Sequence, residues 1–403
     1  MLWETKKGLY RAQQRVMKSA AAFLPFPIPA LLTGPGSVKQ LADNLSVRGL
    51  RQVLVVTDKV LMEIGLPRGL LASLEARGIA YTVFDDVQPN PTIENVEHGV
   101  RTYREHGCDA ILGFGGGSPM DCAKIIGARL SNRYISVRHM KGLFKVVLPI
   151  PPLFCVPTTA GTGSETTIVA VITDAATHEK FAISDLHLMP KIVVLDPELL
   201  VGLPPHITST TGMDALTHAV EAYIGLNGTP FTDDNAEKAT RLTFAHLEET
   251  YRDGANLEAR SLMALASFHA GAAFTRAYVG YVHAIAHNMG GLYGVPHGLA
   301  NAVILPHVLR FCRKEAEPKL AALAIVAGVG EHGESHEALS LKFIEAIEQM
   351  NQRMKIPTTI AELRAGDIPL IAQRALAEAH PDYPVPRIMT RPECEALITK
   401  LLA

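Results

Sequence analysis

The segment "YVHAIAHNMGGLYGVPHGLAN", residues 281–301, keeps three histidines in an otherwise apolar stretch. His283 and His287 are four residues apart, so on a helix both project from one face, and His297 follows on a Pro-His-Gly step. A second segment, "GMDALTHAVEAY", repeats the spacing with Asp214 and His218. One carboxylate with several imidazoles matches the ligands of a divalent transition metal such as Fe(II) or Zn(II). No thiol stands among them, which points away from a structural zinc site. A lone histidine in an apolar helix is more often a satisfied core residue, but several in two helices of one region favour a metal. Spacing leaves open which of His283, His287 and His297 is unliganded. His187, His206 and His307 carry no comparable signal.

Two further segments suit a phosphate. In "ILGFGGGSPMDCAKIIGARL", residues 111–130, a strand runs into three glycines, which let the backbone approach a ligand closely. Ser118 and Pro119 are favoured residues for a helix start, with Asp121 placed as a capping-box partner. A helix N-terminus suits an anion because its backbone N–H groups and the positive end of its dipole face the same point. The second loop, "VPTTAGTGSET", residues 156–166, again follows a strand, and Thr158, Thr159, Thr162 and Ser164 could donate to phosphate or ribose. Asp58, ending "VLVVTD", could accept from a ribose 2′-hydroxyl, which favours NAD over NADP, or could cap the following helix.

The elements that must hold these residues divide along the chain. From Ile28 to about Asp196, short β-branched runs ("QVLVVTD", "AYTVFDD", "DAILGFGGGS", "PLFCVPTT", "KIVVLDP") alternate with amphipathic stretches, the pattern of a parallel sheet with crossover helices. Such sheets bind ligands beyond the carboxyl ends of their strands. After "LLVGLPPH" strand signals stop and the pattern is helical to the end. The expected organisation is a basic helical extension (1–25), an α/β dinucleotide-binding domain (26–202) and an all-helical metal-binding and substrate domain (203–403).

The extension carries Lys6, Lys7, Arg11, Arg15 and Lys18 against one acid, Glu4. That charge would suit a transit peptide or an interfacial helix. Without an apolar leader core or a clear cleavage site, the reading is an accessory helix packed through Leu9, Ala12, Val16 and Ala20.

Composition fits two ordinary globular domains: 403 residues, 48% hydrophobic and 19% charged. A net charge of −2, from 38 basic and 40 acidic residues, provides no field for nucleic acid or an anionic membrane. Proline interrupts the longest apolar runs, so no membrane span is expected. Five scattered cysteines without a CxxC pair argue against a disulfide framework and for a reducing compartment, the cytoplasm.

The stretches "GFGGGSPMDCAK", "PTTAGTGSE", "TGMDALTHAVEAY" and "VHAIAHNMGGLYGVPHGLANAVILPHVL" together resemble the iron-containing (group III) alcohol dehydrogenases, from about Leu24 to the C-terminus. The resemblance implies a Rossmann-like NAD(P) domain, an all-helical C-terminal domain and a cleft between them for cofactor, metal and alcohol. It implies Asp214, His218, His283 and His297 as metal ligands, with Fe(II) or alternatively Zn(II), and leaves His287 for catalysis beside the nicotinamide and substrate. It assigns Gly116, Gly117 and Ser118 to the pyrophosphate, and Thr158, Thr159 and Thr162 to the phosphate and nicotinamide ribose. Asp58 matches an adenosine-ribose contact, and Asn90 and Lys180 match two further cofactor contacts. A homodimer or higher homo-oligomer acting on a small alcohol, aldehyde or ketone is expected. Arg276, Tyr278, Tyr281 and Val169 depart from many relatives and are expected to reshape the substrate pocket. Two alternatives are a dehydroquinate-synthase-like metal and NAD enzyme, which lacks a supporting basic cluster here, and a non-catalytic assembly protein, against which the complete ligand set argues.

Overall fold

In the strand Gln52–Val56, Val53 and Val55 point to one face of the sheet and Leu54 and Val56 to the other, and all four are fully buried. A strand covered on both faces belongs inside a parallel sheet flanked by two helical layers. The computed structural model, which describes residues 3–21, 23–177 and 179–403, has that arrangement.

The first elements are α1 (Trp3–Ala21), β1 (Ala30–Thr33), α2 (Ser37–Val47) and β2 (Gln52–Val56). Then come α3 (Lys59–Glu63), α4 (Arg68–Ala76), β3 (Ala80–Phe84), α5 (Ile93–Glu105), β4 (Ala110–Gly115) and α6 (Gly117–Ser131). The short β5 (Gly142–Leu143) precedes β6 (Leu153–Pro157), β7 (Val169–Asp174), β8 (Glu179–Ser184) and β9 (Ile192–Leu195). Six of these strands form one parallel sheet in the order β1-β9-β6-β4-β2-β3. Val53, Val55, Leu112, Phe114, Phe154 and Val156 face a core that includes residues of α2 and α4. Leu54, Val56 and Ile111 face a second core with residues of α5 and α6. A separate sheet, β5-β8-β7, contains the antiparallel hairpin β7–β8.

The remaining helices are α7 (Pro205–Ile224), α8 (Pro230–Arg252), α9 (Leu257–Ala277), α10 (Tyr281–Tyr293) and α11 (His297–Val326), then α12 (His336–Arg353), α13 (Ile368–Ala379) and α14 (Arg391–Thr399). The chain divides into two compact units. Phe26–Leu203 with Gly254–Ala264 form one, and Pro204–Asp253 with Leu265–Ala403 and the N-terminal stretch to Pro25 form the other. The α/β sheet unit and the mostly helical second unit are the fold class read from the sequence. Among the described residues no helix is long and apolar enough to cross a membrane.

The helix α1 does not dock through the apolar residues expected from its sequence: Leu9 and Val16 are 53% and 68% exposed, and Ala12 is exposed too. Ala20's side chain lies outside the described part of the structure. Docking is polar because the partner is a bare backbone run, residues 381–386, whose carbonyls need donors. Buried Gln14 donates from Nε2 to the carbonyls of Pro381 (2.9 Å) and Tyr383 (2.8 Å). Arg11 donates to those of Val385 (2.7 Å) and Pro386 (2.8 Å), and the Tyr10 ring packs 5.2 Å from that of His380.

Gln14→Ala strands two carbonyls and is expected to destabilise the protein by about 1–3 kcal/mol. In urea the midpoint should fall at an unchanged slope; an unmoved midpoint would show that other contacts hold α1.

Candidate metal centre and nucleotide loops

Three side chains on one face of α7 organise the helical unit's site, because positions 214, 218 and 221 recur at four- and three-residue steps. Asp214, His218 and Glu221 are all buried. His283 and His287 project from α10, and His297 stands at the first position of α11, after Pro296. Asp214, His218, His283 and His297 each offer a donor atom, and the four atoms lie within 4.8 Å of one another. Asp214 Oδ1 stands 3.6 Å from His297 Nε2, 3.8 Å from His283 Nε2 and 3.9 Å from His218 Nδ1. Ligands about 2.1 Å from a tetrahedral ion are roughly 3.4 Å apart, so the three distances from Asp214 would close by a few tenths of an ångström, and pairs near the 4.8 Å limit by more.

The donors also share a focus. The Asn301 amide nitrogen donates to Asp214 Oδ1 (2.6 Å) and lies 3.2 Å from His283 Nε2 and 3.1 Å from His297 Nε2. A single atom touching three of the four groups shows that their lone pairs converge, and this donor set fits Fe(II) or Zn(II). Burial, and then the neighbouring imidazoles His218, His297 and His287, hold the His283 pKa well below the usual histidine range. That residue is therefore neutral, as a metal ligand must be. Its Nδ1 is 2.7 Å from Glu221 Oε2. Burial pushes the Glu221 carboxyl up to about 7, against the hydrogen bonds it accepts.

His287 sits beside this group. Its ring stacks on His297 at 5.3 Å between centroids, and its Nδ1 is 2.8 Å from Glu378 Oε1. The Tyr383 hydroxyl donates to the same carboxylate oxygen at 2.8 Å. On the other side of the cluster Phe274 stacks on His218 at 4.2 Å. Tyr281, expected to shape the substrate pocket, has its hydroxyl engaged by the C-terminal segment. It is buried, and its hydroxyl accepts from the Met389 N–H and pairs with His380 Nε2, so it serves packing of α10 on the C-terminal segment. The Arg276 guanidinium lies over the Phe231 ring at 3.8 Å, and Tyr278 takes a positive φ of 70° just after α9.

In the α/β unit the glycine loop follows β4. The helix α6 begins at Gly117 with Gly116 as its cap residue and no side-chain cap, earlier than the Ser118 start read from the sequence. Glycines at the cap and first position allow this earlier start, which places Ser118 inside the first turn. There its Oγ accepts from the Asn90 N–H at 3.3 Å. Asp121 is not a capping partner either, because its oxygens accept from Ser164 Oγ (2.6 Å) and the Val171 N–H (2.9 Å). Buried Lys124 donates to the carbonyls of Ser164 (2.6 Å) and Val169 (2.7 Å) and to Thr167. These bonds clamp the 156–166 loop onto α6.

The two loops meet closely. The Thr158 N–H donates to the Gly115 carbonyl (3.0 Å). A Cβ at Gly117 would lie 3.0 Å from Thr162 Cγ2, and one at Gly116 would lie 3.5 Å from Thr159 Oγ1. Gly115 takes φ +147°, where a side chain would also strike Pro119 at 2.6 Å. A glycine cradle at an uncapped helix start, rimmed by threonine hydroxyls, fits a pyrophosphate. Lys180, on β8, donates to Asn90 Oδ1 at 2.6 Å, which brings Asn90, Ser118 and Lys180 to the same rim. Asp58 lies two residues beyond β2, the strand next to β4, and caps α3, accepting from the Leu61 N–H at 3.0 Å.

Glu221, Asn301, Glu378 and Tyr383 escaped the sequence reading. Glu221 and Asn301 had a signal, being seven residues after Asp214 and four after His297 on the same helices. Glu378 and Tyr383 had none, because they reach His287 only through the folding of a distant segment.

Comparisons with known proteins agree with this arrangement. Residues 29–197 match the family model "Iron-containing alcohol dehydrogenase", and residues 208–402 match "Fe-containing alcohol dehydrogenase family, C-terminal". The chain is 39% identical to alcohol dehydrogenase 4 of Schizosaccharomyces pombe, over 91% of this chain and 86% of that protein. It is 37% identical to the NAD-dependent methanol dehydrogenase of Bacillus methanolicus, over 88% of this chain and 93% of the relative. A crystal structure of 1,3-propanediol oxidoreductase superposes with a TM-score of 0.90 at 38% identity, covering 94% of this chain and all of the other. With the sheet unit, the helical unit and both motif sets matched in order, the chain belongs to the iron-containing alcohol dehydrogenases, oxidoreductases that interconvert alcohols and aldehydes with NAD and a metal.

Proposed function

We propose that Asp214, His218, His283 and His297 hold the catalytic metal, Fe(II) first and Zn(II) as the alternative, and that His287 acts on the substrate beside it. The observation that carries this reading is the meeting of one carboxylate and three imidazoles within 4.8 Å. When bound, such an ion polarises an alcohol or carbonyl oxygen, and NAD accepts or returns the hydride.

The chain's own residues then have defined tasks. Asp214 supplies the anionic donor and the three imidazoles supply neutral ones, in a site dry enough to strengthen the attraction. Glu378 accepts from Nδ1 of His287, which makes Nε2 the proton-accepting nitrogen, and Tyr383 keeps that carboxylate in place. His287 thereby takes a proton from the alcohol during oxidation, or from a ribose hydroxyl on its way to solvent, and returns one in reduction. Gly116, Gly117 and Ser118 hold the pyrophosphate, Thr158, Thr159 and Thr162 line the phosphate and ribose, and Asn90 and Lys180 close the rim. Asp58 binds the adenosine ribose and repels a 2′-phosphate, so NAD is the preferred cofactor.

The substrate is a small alcohol, aldehyde or ketone. Its environment includes Phe274, whose ring covers one face of His218. The near balance of charge supports a small-molecule partner over nucleic acid or membrane. Five free, buried cysteines support the cytoplasm. The strand β1, an edge of the main sheet with Leu31 36% exposed, supports a homodimer or larger homo-oligomer.

Paired substitutions test the roles. His218→Ala should lose the metal and turnover together, whereas His287→Ala should keep the metal and lose about 10²-fold or more in kcat. Metal analysis alongside steady-state kinetics distinguishes them, and a His218→Ala protein with full metal and full rate would refute the site. For the cofactor, wild type should favour NAD, and Asp58→Gly should narrow the ratio of kcat/KM between NAD and NADP. A wild-type preference for NADP would overturn Asp58's assignment.

A further inference from the structure

Glu221 lies outside the proposed ligand set, yet two backbone N–H groups and an imidazole nitrogen converge on its two carboxylate oxygens. Oε2 accepts from the Gly280 N–H (2.8 Å) and faces His283 Nδ1 (2.7 Å), and Oε1 accepts from the Val282 N–H (2.8 Å). The carboxylate is fully enclosed by its neighbours: a Cβ at Gly280 would come within 2.6 Å of Oε1, so only glycine leaves room for it. One side chain of α7 thus grips both the start of α10 and a ring that α10 carries.

We propose that Glu221 is a positioning residue for the metal centre, holding His283 as the Nδ1–H tautomer with Nε2 turned toward Asp214 and His297. Contacts at both ring nitrogens lead to the same tautomer. A carboxylate at Nδ1 can only accept, which calls for a ring N–H there, and Nε2 lies 3.2 Å from the Asn301 amide nitrogen, whose two N–H groups serve Asp214 and the imidazoles of His283 and His297, so a lone pair suits that side. Asn301 Nδ2 is itself fixed as a donor by Asp214 Oδ1 at 2.6 Å. Histidines that bind metals commonly give their second N–H to such an outer acceptor, which fixes the ring and raises its basicity. When ionised, Glu221 adds a negative charge one imidazole away from the ion, so that with Asp214 the site supplies two negative charges for a divalent cation.

The position cannot be filled by an amide. Glutamine has one oxygen for three donors, so either orientation sets its NH2 against the Val282 N–H or against the Gly280 N–H and His283. The grip on His283 then loosens and the negative charge is lost.

The proposal rests on the ligand set above, and its test is separable from the test of that set. In metal-free wild-type protein labelled with 15N-histidine, long-range proton–nitrogen spectra should show His283 protonated on Nδ1; protonation on Nε2 would overturn the proposal without any variant being made. In competition with a chromophoric chelator, Glu221→Gln should bind Co(II) or Zn(II) about 10- to 100-fold more weakly than wild type. A Glu221→Gln protein of lowered apo stability but wild-type metal affinity would make Glu221 a helix anchor only, and would overturn the positioning role. His218→Ala serves as the control: if it also retained wild-type affinity, the ligand set itself would be wrong.

Discussion

Packing one carboxylate and three imidazoles into a space less than 4.8 Å across, with Asp214, His218 and His283 shut away from water, sets the terms for the helical unit. Buried imidazoles must stay neutral and a buried carboxylate must be hydrogen-bonded, because either charge left alone in a dry interior is expensive. The surroundings meet both demands: Asn301 donates to Asp214, and Glu221 accepts from His283. A divalent ion at the focus of these groups would replace the Asn301 contact as the main source of order. Folding and metal binding are then linked. The helix α7 is the base of the arrangement, since it carries Asp214 and His218, two of the proposed ligands, and Glu221, the carboxylate proposed to orient a third.

The sheet unit meets a different demand, presenting bare backbone at the loop proposed to hold a diphosphate. Three consecutive glycines allow it, but glycine-rich loops lack side chains to pack, and stiffness has to come from elsewhere. It comes from Lys124 and Asp121, which face inward from α6 and tie down the threonine-rich loop through Ser164, Thr167, Val169 and Val171. Burial disfavours the charge on Lys124 and on Asp121, and the attraction between the two offsets part of that penalty.

What could be read from the sequence follows from the range of each interaction. Asp214 with His218, and His283 with His287, are neighbours one helical turn apart, so their spacing alone revealed shared faces. The buried strands were legible because runs such as Val53–Val56 are apolar on both sides. The hairpin β7–β8 was not, since its residues alternate in burial and its polar turn interrupts the pattern. The face of α1 was misjudged because apolar spacing was taken as the guide, while the docking partner turned out to be carbonyl groups that select Arg11 and Gln14. Ser118 and Pro119 look like a helix start, yet the chain begins α6 at Gly117 and uses the serine hydroxyl to receive Asn90. The pair Glu378 and Tyr383 meets His287 across about ninety residues of chain, a distance over which no local pattern carries information.

X-ray absorption at the metal edge of the anaerobically loaded enzyme addresses the centre directly. One ion per chain with three imidazole nitrogens and a carboxylate oxygen at about 2.0–2.2 Å is the expected inner shell. Sulfur scattering near 2.3 Å, or a shell of light atoms without the multiple-scattering signature of imidazole, would contradict the assignment of Asp214, His218, His283 and His297.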